Sequence, residues 1–390
     1  MSKKVYMDYS ATTPTKKEVV DAMMPYFTEN FGNPSSVHSF GREAKNVVNE
    51  ARETLANTIG AKREEIYFTA GGTESDNWAI KGIAKALKAK GNHIITTTVE
   101  HHAVLHTCEG LAKEGFEVTF LPVDEYGLIN LEDLKAAIKD TTILITMMYV
   151  NNEIGTMQPI KEIGAIAKEN KIVFHTDAVQ AYGNVAIDVD DLGIDIMSIS
   201  SHKIYGPKGI GAMYIRKGVR IGAFVDGGAQ ERKRRAGTEN VPGIVGFAKA
   251  AQLANENLES HRAHLIHLRD KLAKGIMDSI PYAKYNGHPT ERHPGNVNIC
   301  FEFIEGESLL LSLDLKGIAA SSGSACTSGS LDPSHVLMAI GLTHEIAHGS
   351  LRLTVGDFTT EEDVDYVIQE LAPIVDRLRQ MSPLYEKVNR

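Results

Sequence analysis

Three stretches of this 390-residue chain end apolar runs in residues able to do chemistry. The first is Phe68-Thr69-Ala70-Gly71-Gly72-Thr73-Glu74-Ser75, which closes a strand pattern and opens a helical one. Two glycines permit a tight turn, and Thr73 can cap the helix and offer a hydroxyl. The free amides of a helix start favour an anion, a phosphate above all. No Gly-Lys-Ser/Thr follows, so this is not a nucleotide-binding Walker loop. The second stretch, Ile172-Val173-Phe174-His175-Thr176-Asp177-Ala178-Val179-Gln180, puts a carboxylate where parallel sheets bind ligands. The third, Asp195 to Ser200, runs straight into Ser201-His202-Lys203 and then Tyr205-Gly206-Pro207-Lys208-Gly209. A lysine at a buried strand end is costly without a partner or a task; desolvated, it can lose its proton and attack a carbonyl. Singly, each also fits something ordinary: a glycine turn, a capping Asp, a lysine reaching out from the sheet rim.

Together they meet the needs of pyridoxal 5′-phosphate: an anion site, an acid for the pyridinium nitrogen and a lysine for a Schiff base. An aromatic or imidazole lid over the ring is also expected. Glu100-His101-His102 follows another strand pattern, and either histidine can serve.

The elements that must hold these residues are legible. Candidate strands are Ile66–Thr69, His93–Thr97, Glu117–Leu121, Ile143–Met148, Ile172–Thr176, Asp195–Ser200 and Gly211–Ile215. Amphipathic segments Glu74–Lys88, Ala103–Lys113, Leu131–Ile138 and Ile160–Glu169 lie between them, and helices are expected over Glu18–Glu29 and Arg42–Ile59. Strands alternating with helices predict an α/β fold with a mostly parallel sheet flanked by helices. From Ile244 to Ser279 one long helix is expected, then a Pro/Gly loop. A smaller α+β pattern follows: strand Asn296–Phe303, helix Glu307–Leu315, strand Ile318–Ser321, helix Pro333–Ile340, strand Ser350–Thr354 and helix Thr360–Met381. The expected division is an N-terminal segment, 1–14, joining the small domain or the cleft; a large domain, 15–245; and a small C-terminal domain, 246–390.

Composition narrows the class. Hydrophobic residues make up 43% and charged residues 23%, as in ordinary soluble globular proteins, and the net charge of −9 argues against nucleic acid or an anionic membrane as partner. Three scattered cysteines, Cys108, Cys300 and Cys326, form no disulfide framework, so a reducing, cytoplasmic setting is expected. There is no signal-peptide pattern and no membrane-length apolar run.

Over nearly its whole length the sequence resembles the cysteine desulfurases, within the class V aminotransferase group of pyridoxal phosphate enzymes. The matching segments are Ala11-Thr12-Thr13-Pro14, Gly32 to His38, Phe68 to Ser75, Glu100-His101, Asn151 to Gly155, His175 to Gln180, Ser200 to Gly209, Gly237-Thr238-Glu239-Asn240-Val241 and Ser321 to Ser328. The resemblance implies fold type I of the pyridoxal phosphate enzymes. It implies Lys203 as the Schiff-base lysine, Asp177 as the pyridinium partner, Gln180 on the phenolic oxygen and Asn152 near ring and substrate. His101 is preferred to His102 as stacking histidine and proton carrier. Gly72, Thr73, Ser200 and His202 would hold the phosphate, and Thr238 would reach the phosphate of a neighbouring subunit, implying a homodimer. Arg352 would clamp the substrate carboxylate.

Cys326, in Ser321-Ser322-Gly323-Ser324-Ala325-Cys326-Thr327-Ser328-Gly329, sets the reaction. A thiol among small and polar residues and glycines reads as an exposed, mobile nucleophile, whereas Cys108 and Cys300 read as packing. The implied reaction converts L-cysteine to L-alanine and leaves the sulfur as a persulfide on Cys326. From there it passes to an iron–sulfur scaffold or a tRNA-thiolation protein. The family's scaffold complexes imply Cys326 as a transient iron–sulfur ligand. A selenocysteine lyase or another class V aminotransferase-type enzyme is the alternative.

Two features point elsewhere. His344-Glu345-Ile346-Ala347-His348 matches a zinc-protease pattern, but Gly341 and Gly349 leave no long helix to carry it. Arg232-Lys233-Arg234-Arg235 reads as serving the anionic cofactor site or a protein partner. Tyr9-Ser10 and Asp357 depart from the family's more common residues and bear on the cleft rim or docking.

Overall fold

A computed structural model describes residues 3–323 and 333–388. The strands are β1 (Val5–Tyr6), β2 (Ile66–Thr69), β3 (His93–Thr97), β4 (Glu117–Leu121), β5 (Thr142–Thr146), β6 (Val173–Asp177), β7 (Ile196–Ser200), β8 (Gly211–Ile215), β9 (Ala283–Tyr285), β10 (Asn296–Phe301), β11 (Ile318–Ala319) and β12 (Ser350–Thr354). Seven of them form one sheet in the order β2-β8-β7-β6-β5-β3-β4. β8 is antiparallel to both neighbours, and the other pairings are parallel. The C-terminal ends of β2, β3, β5, β6 and β7 therefore share one edge.

Strand alternation divides the sheet's side chains between two cores. Ile66 and Phe68 of β2 join Phe174, Met197, Ile199 and Phe247 on one face, with Val48 and Leu55 of the helix Ser39–Asn57. Tyr67 of the same strand joins Trp78, Ile80 and Ile83 of the helix Gly72–Leu87, with Ile94, Leu144 and Met213, on the other. A third core unites Val5 and Met7 with the antiparallel sheet β12-β10-β9 and the helices Leu258–Ser279, Gly306–Leu315 and Glu361–Gln380. The chain start reaches it by pairing β1 parallel to β11, and Asp8 bridges to Thr354.

Local chemistry shifts several expected elements. The helix expected over Glu18–Glu29 is two, Lys17–Met23 and Pro25–Thr28, because Pro25 has no N–H with which to continue the first. The long helix expected from Ile244 is also two, Val241–Glu256 and Leu258–Ser279, joined at Asn257 with φ −108° and ψ 8°. Of the strand expected over Ile318–Ser321, β11 covers Ile318–Ala319. Among the described residues no helix is long and apolar enough to cross a membrane.

Asp357 has a structural role at the seam between these cores. Its carboxylate lies 2.5 Å from the Lys16 ammonium and 2.5 Å from His261 Nδ1, while His261 Nε2 lies 3.1 Å from Asn184 Oδ1. Burial alone would raise its pKa; the His261 and Lys16 contacts outweigh that and hold it down at about 2. A carboxylate with a depressed folded-state pKa stabilises the fold above its unfolded value near 4, and that contribution vanishes as pH falls towards 2. After allowance for solvent screening it is on the order of 1 kcal/mol. Asp357→Asn is expected to lower the urea midpoint at pH 7, with the deficit shrinking between pH 4 and pH 2. A deficit constant across that range would refute the ionic account.

Candidate functional site

The shared sheet edge gathers the predicted residues. After β2 the chain turns at Gly71, whose φ of 155° favours glycine, and enters the helix Gly72–Leu87. A Cβ at Gly72 would sit 2.6 Å from Val179 Cγ2, so the close approach of helix and β6 loop requires glycine. The first amides of that helix have no acceptor one turn back. Arg235 braces the turn by donating to both carboxylate oxygens of Glu74, at 2.7 and 3.1 Å, and Glu74 accepts the Ala70 amide at 3.1 Å.

Two further arginines of the basic run are also engaged within the chain. Arg232 lies over the Tyr67 ring at 4.5 Å, Arg234 donates to the Tyr67 hydroxyl at 3.0 Å, and buried Glu231 takes two 2.7 Å bonds from Arg52. The backbone permits this through left-handed φ values of 44°, 56° and 64° at Glu231, Arg232 and Lys233.

A cavity of about 280 Å³ at the edge is lined by Gly72, Thr73, His101, Asn152, Asp177, Gln180, Ser200, His202, Lys203 and Arg352, with Ser10 and Asp76. Through Gly72, Thr73, Ser200 and His202 it opens into a wider recess that adds Gly71, Lys208 and Gly209. Thr238 is exposed and lines neither. Cys326 lies outside the described residues.

Lys203 ends a single 3-10 turn, Ser201–Lys203, that follows β7. Its ammonium donates to the carbonyl oxygens of Ser10 and Ala11, the latter at 2.9 Å. Gln180 also donates to the Ser10 carbonyl, at 3.0 Å. The Tyr9-Ser10 pair thus contributes a backbone oxygen, while Tyr9 packs edge-on to Tyr6 at 5.0 Å. His202 Nδ1 lies 3.1 Å from the Thr12 hydroxyl, and burial, then Lys203 and Lys208, press its pKa down to about 4.

His101 and His102 separate clearly. His101 caps the helix His102–Lys113, its Nδ1 accepting the Ala103 amide at 3.1 Å. Burial and then Lys203 push its pKa down to about 4, so at neutral pH the ring is uncharged with its hydrogen on Nε2. His102 does not line the cavity; it stacks on His106 at 4.7 Å and meets His335 at 4.8 Å.

The acids include members that sequence reasoning missed. Asp177 accepts the Val179 amide at 2.9 Å; burial lifts its pKa to about 6, against the pull of Val179 and Lys203. Asp76, from the second turn of the Gly72–Leu87 helix, is 1% exposed and lines the same cavity. Buried Glu100 accepts the Met148 amide and the Thr97 hydroxyl, and burial lifts its pKa to about 8.

Arg352, on β12, is 2% exposed. It donates to the Asn152 carbonyl at 2.9 Å and to Asp8 Oδ1 at 3.0 Å, and its buried Nε has no hydrogen-bond partner. Of the other thiols, Cys108 and Cys300 are buried and unpaired. Burial raises both pKa values, Cys300 to about 11, so neither is a ready thiolate. His344–His348 is a five-residue helix, its end rings 4.5 Å apart, too short for the long helix of the zinc-protease pattern.

Comparisons with known proteins identify the family. Residues 5–367 match the family described as Aminotransferase class-V. The chain is 62% identical to the cysteine desulfurase IscS of Methanosarcina thermophila over all of its own length and 96% of that protein. It is 59% identical to the cysteine desulfurase IscS of Clostridium botulinum over 99% of the chain and 98% of that protein. A solved NifS-like protein superposes with a TM-score of 0.91 at 39% identity, covering 96% of this chain and all of that one. The fold is that of the type I pyridoxal phosphate enzymes, and the chain belongs to the class V aminotransferase family, among its cysteine desulfurases.

Proposed function

We propose that the chain converts L-cysteine to L-alanine and holds the abstracted sulfur as a persulfide on Cys326 for delivery to iron–sulfur cluster assembly or tRNA thiolation. The carrying observation is the meeting of Lys203, Asp177, His101 and Arg352 around one cavity of about 280 Å³.

The residues fit pyridoxal phosphate. Unpaired helix-start amides beside the Thr73 and Ser200 hydroxyls and His202 suit its phosphate. A buried carboxylate pair, Asp76 and Asp177, suits a protonated ring nitrogen, and a lysine stands at the same edge. Pyridoxal phosphate supplies an aldehyde that condenses with amines and a ring that accepts the electron pair freed at the substrate α-carbon.

The chain supplies the rest. Gly72, Thr73, Ser200 and His202 would bind the phosphate, and Thr238 would reach the site of a second subunit. Asp177 and Gln180 would hold the ring's polar atoms, and His101 would pack against it. Arg352 and Asn152 orient the substrate carboxylate. Lys203 Nζ moves the α-proton, and neutral His101 Nε2 carries protons nearby. The Cys326 thiolate attacks the substrate Sγ: a sulfur–sulfur bond forms, the Cβ–Sγ bond breaks, and the bonding pair left on carbon takes a proton. Alanine leaves, and the persulfide passes to a scaffold or other acceptor protein, with Cys326 a transient iron–sulfur ligand in such a complex.

A homodimer is supported by the exposed apolar residues Phe27, Phe31, Val37 and Phe40 in one short stretch of chain, with the Phe31 and Phe40 rings 5.7 Å apart. Unpaired Cys108 and Cys300 support a reducing, cytoplasmic setting.

The test is direct. Pyridoxal phosphate-loaded protein should release alanine from L-cysteine in step with persulfide. Arg352→Ala should raise KM roughly 10- to 100-fold, since charge-assisted hydrogen bonds contribute about 1.5–3 kcal/mol. No alanine from the loaded wild type would refute the proposal, and an unchanged KM in the variant would remove Arg352 from the substrate site.

A further inference from the structure

Asp76 sits on the wall of the cavity beside Asp177. Oxygens of the two carboxyl groups and a nitrogen of His101 all lie within 4.8 Å of one another. Asp76 is 1% and Asp177 5% exposed, so water screens neither. Two carboxylates this close and this buried oppose one another's ionisation, so the pKa of one of them is strongly raised. Their environments differ. Asp177 accepts the Val179 amide at 2.9 Å and feels the Lys203 ammonium, both of which favour its anion. Asp76 Oδ1 is buried with no hydrogen-bond partner.

The groups around Asp76 give its charge little support. His175 Nε2, on β6, lies 3.7 Å from Asp76 Oδ1, but that ring is engaged by Thr146 at 2.8 Å and Ser198 at 3.0 Å. Burial holds His175 neutral, with its pKa at about 3, and His101 is neutral for the reasons given above. From β7 the Ser198 hydroxyl is the one group that favours the Asp76 anion, while Glu100, following β3, opposes it. Burial first and Asp177 second raise Asp76 well above the ordinary carboxylate range.

We propose that Asp76 is a positioning residue: it carries the one proton of the Asp76–Asp177 pair and so leaves Asp177 as the lone anion at the cavity. The proton assignment stands on the chain by itself. Its use, keeping Asp177 ionised for a protonated ring nitrogen, rests on the function proposed above.

Infrared spectroscopy of the cofactor-free protein tests it, because a neutral carboxyl group has a carbonyl stretch distinct from that of a carboxylate. At pH 7 the wild type should show neutral-carboxyl intensity that D76N removes. E100Q identifies the share belonging to Glu100, the other strongly raised acid of this site. D177N leaves Asp76 in place but removes its negative neighbour, so the Asp76 band should titrate at least about one pH unit lower than in the wild type. This second variant keeps the test decisive if D76N does not fold. Neutral-carboxyl intensity unchanged in D76N, or an Asp76 titration unmoved in D177N, would overturn the proposal. Visible absorbance of the same protein after adding pyridoxal phosphate reports separately on the proposed function, so the two can fail independently.

Discussion

Lys203→Ala is expected to lower alanine production by roughly four orders of magnitude and to abolish the pyridoxyl group that borohydride fixes on the wild type. The size follows from how much one amine does in the proposed function. Lys203 Nζ both holds the cofactor and moves the α-proton, and no other lysine lines the 280 Å³ cavity among the described residues. Truncation also strips the Ser10 and Ala11 carbonyls of a donor, so a loss of activity alone could reflect a disturbed N-terminal segment. Lys203→Arg separates the two. Arginine keeps the charge and the donors but stays protonated, so it cannot condense with an aldehyde. The Arg variant should therefore retain the wild-type melting temperature more closely than the Ala variant and be equally inactive. A borohydride adduct mapped to Lys208, which lines the adjoining recess, would move the covalent role to that residue.

How much of this was legible in the sequence depended on whether a residue's role is written beside it. Asp177 and Lys203 were readable because each ends an apolar strand run, so strand and functional group are neighbours in sequence. Gly72 and Thr73 were readable because a turn, a cap and a helix start share one short segment. Asp76 was not: an acid early in a helix reads as a favourable charge near the positive end of the dipole. Only the packing of that helix over β6 and β7 reveals it as a buried group facing Asp177. The Asp8–Arg352 pair spans 344 positions and has no local signature. β1 is two residues long, too short for periodicity to register. The basic run was legible as charge but not as structure, because its role depends on left-handed residues and a buried Arg52–Glu231 pair contributed from elsewhere. The partners of Asp357, Lys16 and His261, become visible only when the chain start and the helix Leu258–Ser279 meet.

Cys326→Ala should divide the reaction at a single bond. The groups that bind cofactor and substrate in the proposed function are other residues: Lys203, Asp177, His101, Asn152 and Arg352 all line the cavity. The variant should therefore take up pyridoxal phosphate normally and still change its visible spectrum when L-cysteine is added. What it lacks is the nucleophile for Sγ, so alanine production should fall roughly 10³-fold or more and no persulfide should form. Chain length alone lets the thiol come to the cavity from the described residues on either side. Ser321 is bridged to Arg352, accepting its amide at 2.7 Å, and donates to Asp8 at 2.8 Å, while Ser334 donates to Glu153 at 2.5 Å. Cys326 is five residues from Ser321, and an extended chain spans at most about 3.6 Å per residue, so its reach of up to ~18 Å covers the cavity that Arg352 lines. Cys326→Ser sharpens the result, since it keeps size and polarity but not a thiolate, and it should fail as Ala does. If either variant turns L-cysteine over at the wild-type rate, sulfur leaves the substrate without passing through this thiol, and the persulfide route is wrong even with Lys203 and the cofactor assignment intact.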